Sequence, residues 1–333
     1  MPSAAPITLK LLAQELGLNI STVSRVLNDP AGLQSKWAAP QTTERILALA
    51  RKRGYTRNPH AASLRTSRSD TVGVVVPRLQ DFVLATIYEG IDEAAGENGL
   101  FTVVANSLDD PAKQRAKAEM LLGRRMDGLI FGDGKLEDPY LDELAGRKVP
   151  LVLVSRSSGD HVSVTCDDYA GGRLMAEHFL ASGRRSFALI AGSSATSTSR
   201  DRSAGFLDVL TSAGFDVPPE WIIHNGFDAA AGQEAATRIL ASGRVPEAVF
   251  AVNDFAAIGA IGVFREQGLQ VPGDVAVGGF NDTPLAGGVN LTTIRSPMHE
   301  MGRQGLQALH QLIGGGSAES VRLAPELVVR ASS

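Results

Sequence analysis

From residue 71 onward the chain alternates short apolar runs with longer amphipathic stretches, and this rhythm limits what it can fold into. The runs are 72–76, 101–105, 128–131, 151–154, 187–191, 248–252 and 275–279. The helix-like stretches are 87–96, 113–124, 172–181, 202–213, 230–240, 256–267 and 301–312. Strand-length runs alternating with amphipathic segments predict an α/β fold of βαβ units, with parallel sheets covered on both faces. Seven or more such units make one large sheet or two lobes. A chain of 333 residues that is 44% apolar can bury a sizeable core, and its length suggests two or three domains. No apolar stretch approaches the length needed to cross a bilayer. The N-terminus has no basic start followed by an apolar block, so the expected location is the cytoplasm.

The first 70 residues read differently. Residues 7–28 predict two short helices around a tight turn, with Thr8 and Asn19 as caps and Gly17 as the stop. A third helix runs from Pro40 to about residue 53, with proline in its first turn and Gly54 beyond its end. Residues 56–71 are polar, basic and small; Asn58-Pro59 can start a short helix over 60–65, and otherwise this is a linker. Charge divides the chain in the same place. Residues 1–69 hold ten Lys/Arg against three Asp/Glu, a balance of +7, while residues 70–333 balance at −11. A basic head on an acidic body fits contact with a polyanion, although a solvated basic face would give the same count.

The segment 20–28 carries the chemistry of the head. On a helix, Val23, Val26 and Leu27 share an inward face, while Ser21 and Arg25, four apart, share another beside Ile20. Such a face suits the major groove: arginine pairs bidentately with guanine, serine donates or accepts, and an apolar tip meets a thymine methyl. Thr22, Ser24 and the helix N-terminus suit phosphate. A three-helix bundle with a merely solvated Ser/Arg face remains the alternative at this point.

The strings Thr8-Leu9-Lys10-Leu11-Leu12-Ala13 and Asn19-Ile20-Ser21-Thr22-Val23-Ser24-Arg25-Val26-Leu27-Asn28 resemble the helix-turn-helix head of LacI/GalR-type transcriptional regulators. The resemblance continues through Gly54-Tyr55, Asn58-Pro59, Ala62-Ser63-Leu64-Arg65, Asp127-Gly128-Leu129-Ile130, Asn253-Asp254, Gly278-Gly279-Phe280-Asn281-Asp282 and Pro325-Glu326-Leu327. It implies a DNA-binding domain over 1–56, a hinge linker over 57–70 and an effector-binding, dimerising domain over 71–333. That last domain is expected to be a periplasmic-binding-protein-like pair of lobes, about 71–163 plus 295–323 and about 164–294 plus 324–333. The implied function is a repressor that binds an inverted-repeat operator as a homodimer and responds to a sugar or sugar derivative. Carried over residue by residue, the DNA contacts are Thr8, Asn19, Ile20, Ser21, Thr22, Ser24, Arg25 and Asn28, with Leu64 as a minor-groove wedge and Arg65 beside it. Some positions depart from the family. Leu11 replaces the acid of a capping box, Ala39 replaces a capping serine, and the loop 29–39 is several residues longer and contains Trp37. These changes are expected to touch head stability or partners and to leave the DNA-reading face alone.

Candidate effector ligands lie where apolar strands end. Asp282 can accept two hydroxyls at once, or can cap the next segment. Arg202 follows a Ser/Thr-rich loop and either enters the cleft or pairs on the surface with Asp201 or Asp208. One of Asn253 and Asp254 faces the ligand and the other caps a helix. Phe227 is a ring-stacking candidate, and Phe82, Asp81 and Arg156 are weaker ones. The single cysteine, Cys166, and six scattered histidines supply no metal spacing. The sequence shows no Gly-x-Ser-x-Gly elbow, no Walker loop and no Gly-x-Gly-x-x-Gly after a strand, so the reading is of a binding protein with no metal and no cofactor.

Overall fold

A computed structural model describes residues 7–29, 31–55 and 68–333. These divide into a head and a body, the body beginning at Arg68. Residues 69 and 70 belong to the body because their backbone N–H groups donate to the Asp127 carboxylate at 2.8–3.1 Å. The linker expected over 57–70 falls mostly outside the described residues, as do Leu64 and Arg65.

The head holds α1 (Leu9–Leu16), α2 (Ile20–Leu27) and α3 (Pro40–Lys52). Thr8 Oγ1 accepts from Leu11 N at 3.3 Å, and Gly17 closes α1 in the left-handed region at φ 65°. Leu12, Val23, Val26 and Ile46 are buried together, so each helix gives one apolar stripe to a small shared core. Among the described residues no side chain caps α3, whose first position is instead set by Pro40.

The body contains two six-stranded sheets. The first has strand order β11-β5-β4-β3-β1-β2, all parallel, from β1 (Thr71–Val76), β2 (Phe101–Asn106), β3 (Gly128–Phe131), β4 (Leu151–Val154), β5 (Ser163–Cys166) and β11 (Val321–Leu323). The second has order β12-β10-β9-β8-β6-β7, from β6 (Phe187–Ile190), β7 (Ile222–Ile223), β8 (Ala248–Ala251), β9 (Ala276–Asn281), β10 (Thr292–Arg295) and β12 (Glu326–Val328). Among the described strands only β12 runs antiparallel to its neighbour. The first lobe carries α4 (Phe82–Glu97), α5 (Pro111–Gly123), α6 (Pro139–Gly146) and α12 (Met298–Ile313). The second carries α7 (Asp168–Ala181), α8 (Ser197–Ser212), α9 (Ala229–Leu240), α10 (Asp254–Glu266) and the short α11 (Pro284–Gly288). The chain therefore passes between the lobes three times: after β5, after β10 and between β11 and β12. Because β5 pairs with β4 and β11, the first crossing lies after Cys166, a few residues beyond the expected 163.

Each apolar run became a strand, and most of these are buried on both faces, as continuous hydrophobic patterning requires. In the second lobe Phe206 meets Phe179 and Phe187 edge-on, with ring centroids 6.2 and 6.4 Å apart, and lies 5.0 Å from Phe250. Burying each such ring contributes about 1.5–3 kcal/mol, and together they fix α7 and α8 on the sheet. That pair packs unusually close. A Cβ on Gly172 would stand 2.1 Å from the Arg202 carbonyl oxygen, and one on Gly205 would stand 2.0 Å from that of Tyr169. Helix α8 begins at Ser197, earlier than the sequence suggests, because Thr196 takes the cap and its Oγ1 accepts from Ser199 N at 3.4 Å. Arg202 consequently stands in the second turn of α8, pressed against α7, and does not open the helix.

Candidate functional site: a recognition helix and an interlobe cleft

Helix α2 has two faces. Val23 and Val26 are fully buried, whereas Ile20, Ser21 and Arg25 are exposed and Thr22 and Ser24 half-exposed. The Asn19 carboxamide caps the helix, accepting from Ser21 N at 2.9 Å and from the Ser21 hydroxyl at 2.8 Å. Asn28 closes the other end, its Nδ2 donating to the Ser24 carbonyl at 2.6 Å and to Ser24 Oγ at 3.2 Å. Thr8 is exposed at the start of α1. The eight described head candidates thus divide by partner. Ile20, Thr22 and Arg25 project from the helix, while Thr8, Asn19, Ser21, Ser24 and Asn28 take part in helix-end hydrogen bonds. The Arg25 guanidinium carbon lies over the Trp37 ring, 4.8 Å from its centroid. The loop 29–39 therefore does touch the exposed face of α2 that the sequence expectation held it would leave alone.

The body contains a cavity of about 530 Å³ between the lobes. Its walls are the carboxyl ends of the parallel strands, where backbone turns away from the sheet leave polar side chains converging on one space. From the first lobe come Arg78 and Asp81 after β1, Lys135 after β3, and Ser155 and Arg156 after β4. From the second come Ser193, Thr196, Thr198 and Arg202 near the start of α8, Phe227 after β7, Asn253 and Phe255 after β8, and Asn281 at the end of β9. Gly192 lets this wall close. It sits at φ 69°, and a Cβ there would lie 2.7 Å from Phe227 Cε1 and 2.8 Å from Ser199 Oγ.

Charge within the cleft is largely answered from inside the protein. Arg202 is 5% exposed; its Nε donates to Asp168 at 2.8 Å, its Nη1 to the Val252 carbonyl at 2.7 Å, and its guanidinium lies 3.7 Å over the Phe280 ring. Burial pushes the Asp168 carboxyl up to about 6, against the pull of Arg202. Arg156 donates to both carboxylate oxygens of Asp109, at 2.6 and 3.3 Å, and stands 5.8 Å from the Phe227 ring. Asp81 caps α4, accepting from Val83 N at 3.0 Å, and burial raises its carboxyl above the ordinary range.

Asn253 both faces the cleft and caps α10. Its Oδ1 accepts from Ala256 N at 2.9 Å, and its Nδ2 donates to the Phe227 carbonyl at 2.6 Å. Asp254 is fully buried within the second lobe and accepts from Thr283 N, Thr283 Oγ1 and Thr293 Oγ1, with its carboxyl pushed up to about 6 by burial. Phe82 stands outside the cavity wall, 41% exposed, and stacks on Phe255 of the other lobe with centroids 6.4 Å apart.

Asp282 also leaves the cleft. Backbone φ values of 112° at Asn281 and 56° at Asp282 turn the chain at the strand end. The Asp282 carboxylate then binds Arg330 at 2.6 Å and Arg295 at 2.9 Å, while Asn281 lines the cavity with its Oδ1 buried and without a partner among the described residues. The polar acceptor at this strand end is therefore one residue earlier than the sequence reading placed it. The alternating pattern of β9 could have shown this: counting by two along a strand separates Phe280, under Arg202, from Asn281.

A helix-turn-helix head joined to a two-lobed body with a cleft between its sheets defines a class of ligand-responsive DNA-binding proteins, and the comparisons agree. Residues 176–333 match the model of the periplasmic binding protein-like domain. The chain is 30% identical to the HTH-type transcriptional regulator DegA of Bacillus subtilis, covering 97% of this chain and 96% of that one. It is 29% identical to the HTH-type transcriptional repressor PurR of Photobacterium profundum, over 98% of both. A crystal structure of the lac repressor dimer bound to operator and the anti-inducer ONPF matches with a TM-score of 0.87 at 28% identity, over 98% of this chain and 99% of that one. The transcriptional regulator CelR in complex with cellobiose matches with a TM-score of 0.74 at 28% identity, over 98% and 100%. This chain belongs to the LacI/GalR family of transcriptional regulators. Its relatives are regulators and not enzymes. No described helix is long and apolar enough to cross a membrane.

Proposed function

We propose that this chain is a cytoplasmic repressor that binds an inverted-repeat operator as a homodimer, with affinity set by a sugar or sugar derivative held between its lobes. One observation carries the reading: a cavity of small-molecule size whose wall includes a buried amide oxygen on Asn281 without a partner among the described residues, in a chain whose first 69 residues balance at +7. An orphaned acceptor beside a guanidinium, two aromatic rings and several hydroxyls suits a ligand rich in O–H donors. Arg202, Arg156, Asn281, Asn253, Asp81 and Phe227 are the proposed ligand-contacting residues. In the head, Arg25, Ser21 and Ile20 read bases while Thr22, Ser24 and the helix N-terminus hold phosphates, and Leu64 opens a minor-groove step at the centre. A ligand acts by preferring one arrangement of the lobes over another.

Calorimetric titration of the full chain with a panel of sugars, polyols and sugar acids, followed by mobility shifts on a duplex selected from a randomised pool, tests this. The expected result is one chemical class that binds and also changes duplex affinity, with steep loss of DNA binding as salt rises. DNA binding that no member of a broad panel alters, or no DNA binding at any salt, overturns it.

A further inference from the structure

The loop between α2 and α3 is built rather than slack. The Asp29 carboxylate accepts from Ala31 N at 3.0 Å, and that bond, aided by the Ser35 hydroxyl, holds its carboxyl below the usual range. Residues Gly32–Gln34 make one tight helical turn. Ser35 is buried and its Oγ accepts from Trp37 N at 3.3 Å, while the Ala38 carbonyl accepts from the Thr43 hydroxyl at 3.4 Å. Both sides of Trp37 are thereby tied down. Its indole remains 44% exposed and meets the Arg25 guanidinium at 4.8 Å and the Lys36 ammonium at 5.3 Å.

We propose that Trp37 is a positioning residue for Arg25, holding its guanidinium in the orientation that selects one base pair of each half-site. The proposal rests on the base-reading role given to Arg25 above. A guanidinium lying on an aromatic ring is held by its flat face, so the N–H donors around its edge stay free. Those edge donors are the ones that pair bidentately with guanine. An exposed arginine otherwise loses the freedom of a long side chain when it binds, and the stack removes part of that loss beforehand. Lys36 shares the ring without competing for that role, since an ammonium has no planar edge to aim.

The test compares the wild-type chain with Trp37→Leu, Trp37→Phe, Arg25→Ala and Arg25→Ala/Trp37→Leu. Each is measured on the duplex that wild type selects from a randomised pool and on a scrambled duplex, with the melting temperature recorded alongside. Leucine keeps apolar bulk and removes the π face. Trp37→Leu is expected to weaken the selected duplex roughly 2- to 5-fold, to leave the scrambled one unchanged, and to relax the same base pair as Arg25→Ala. Trp37→Phe restores most of the preference, and the double variant is no worse than Arg25→Ala alone. Equal losses on both duplexes would show that the ring is a general DNA contact. A loss that persists in the Arg25→Ala background would show that it acts independently. Unchanged selectivity in Trp37→Leu ends the proposal while leaving Arg25 as a reader. Unchanged selectivity in Arg25→Ala removes the base-reading role itself, and the positioning role with it.

Discussion

The recognition face of α2 and the interlobe cleft both depend on arginine, but they hold it differently. Arg25 is exposed and rests on a single exposed ring, whereas Arg202 is 5% exposed and bound by a carboxylate, a carbonyl and a buried ring. A surface that meets a rigid polyanion can keep its charges in water until contact, because the partner supplies the counter-charge. A cleft that takes up a small ligand has to keep its charges satisfied when empty, so it builds partners into the wall. The head's arginine thus has little part in the fold, while the cleft's arginine is bound up with it.

Substitutions that separate folding from binding test that contrast. Arg202→Ala should be the most damaging, lowering stability by about 3–5 kcal/mol in denaturant unfolding because it leaves Asp168 buried without its partner. A loss under about 1 kcal/mol would mean that the cleft arginine is as free as the surface one. Asp282→Asn should cost about 1–3 kcal/mol through its two arginines, with calorimetric effector affinity unchanged. Asn281→Ala should do the reverse, weakening the effector by about tenfold or more at nearly constant melting temperature. Exchanged outcomes would return the ligand role to Asp282. Arg25→Ala should cost about 1–3 kcal/mol on selected DNA and leave the unfolding curve where it was.

The smallest effect is one of pH. Asp133 is 2% exposed, with its Oδ1 bonded to Gln114 Nε2 at 3.1 Å and its Oδ2 unpartnered among the described residues, and burial pushes its carboxyl up to about 6. A carboxyl raised above its unfolded value binds its proton more tightly in the native state. The stability it contributes is full below about pH 4 and is lost as pH rises through about 6. Asp133→Asn should therefore gain on wild type by about 1–1.5 kcal/mol between about pH 5 and pH 8. Parallel stability curves for the two proteins would show that Asp133 does not titrate there.

The same contrast explains what the sequence disclosed. Periodicity located every long strand and the three helices of the head, since these depend on neighbours two, three or four residues away. It missed β7, β11, α6 and α11, which are brief, and β5 and β10, which are no shorter than strands it found but whose Ser, Thr, Cys and Arg residues break the apolar run. Cleft residues were legible as strand ends but not as directions. Asp254 and Asp282 carry carboxylates at those ends, yet both point into structural networks made by Thr283, Thr293, Arg295 and Arg330, residues that only the folded chain brings near. Asn281, Phe255 and Lys135 entered the cleft unannounced. The reach of Trp37 was illegible for a related reason: residues 29–39 have no periodicity from which to read where a loop returns.

The three passages between the lobes also govern the order in which the protein can be completed during synthesis. The head needs only residues 7–55 for its core, so its fold is available as soon as that stretch is clear of the ribosome. Neither lobe has this advantage. The first waits for Met301, Leu306 and Leu309 of α12 and then for β11; the second waits for β12 and for Ser332, whose hydroxyl accepts from Thr292 N and donates to the Val277 carbonyl. A nascent chain lacking its last forty or so residues, about the span from Arg295 onward, would therefore display two unfinished sheets with open edges. The head can be made long before either lobe of the cleft is complete.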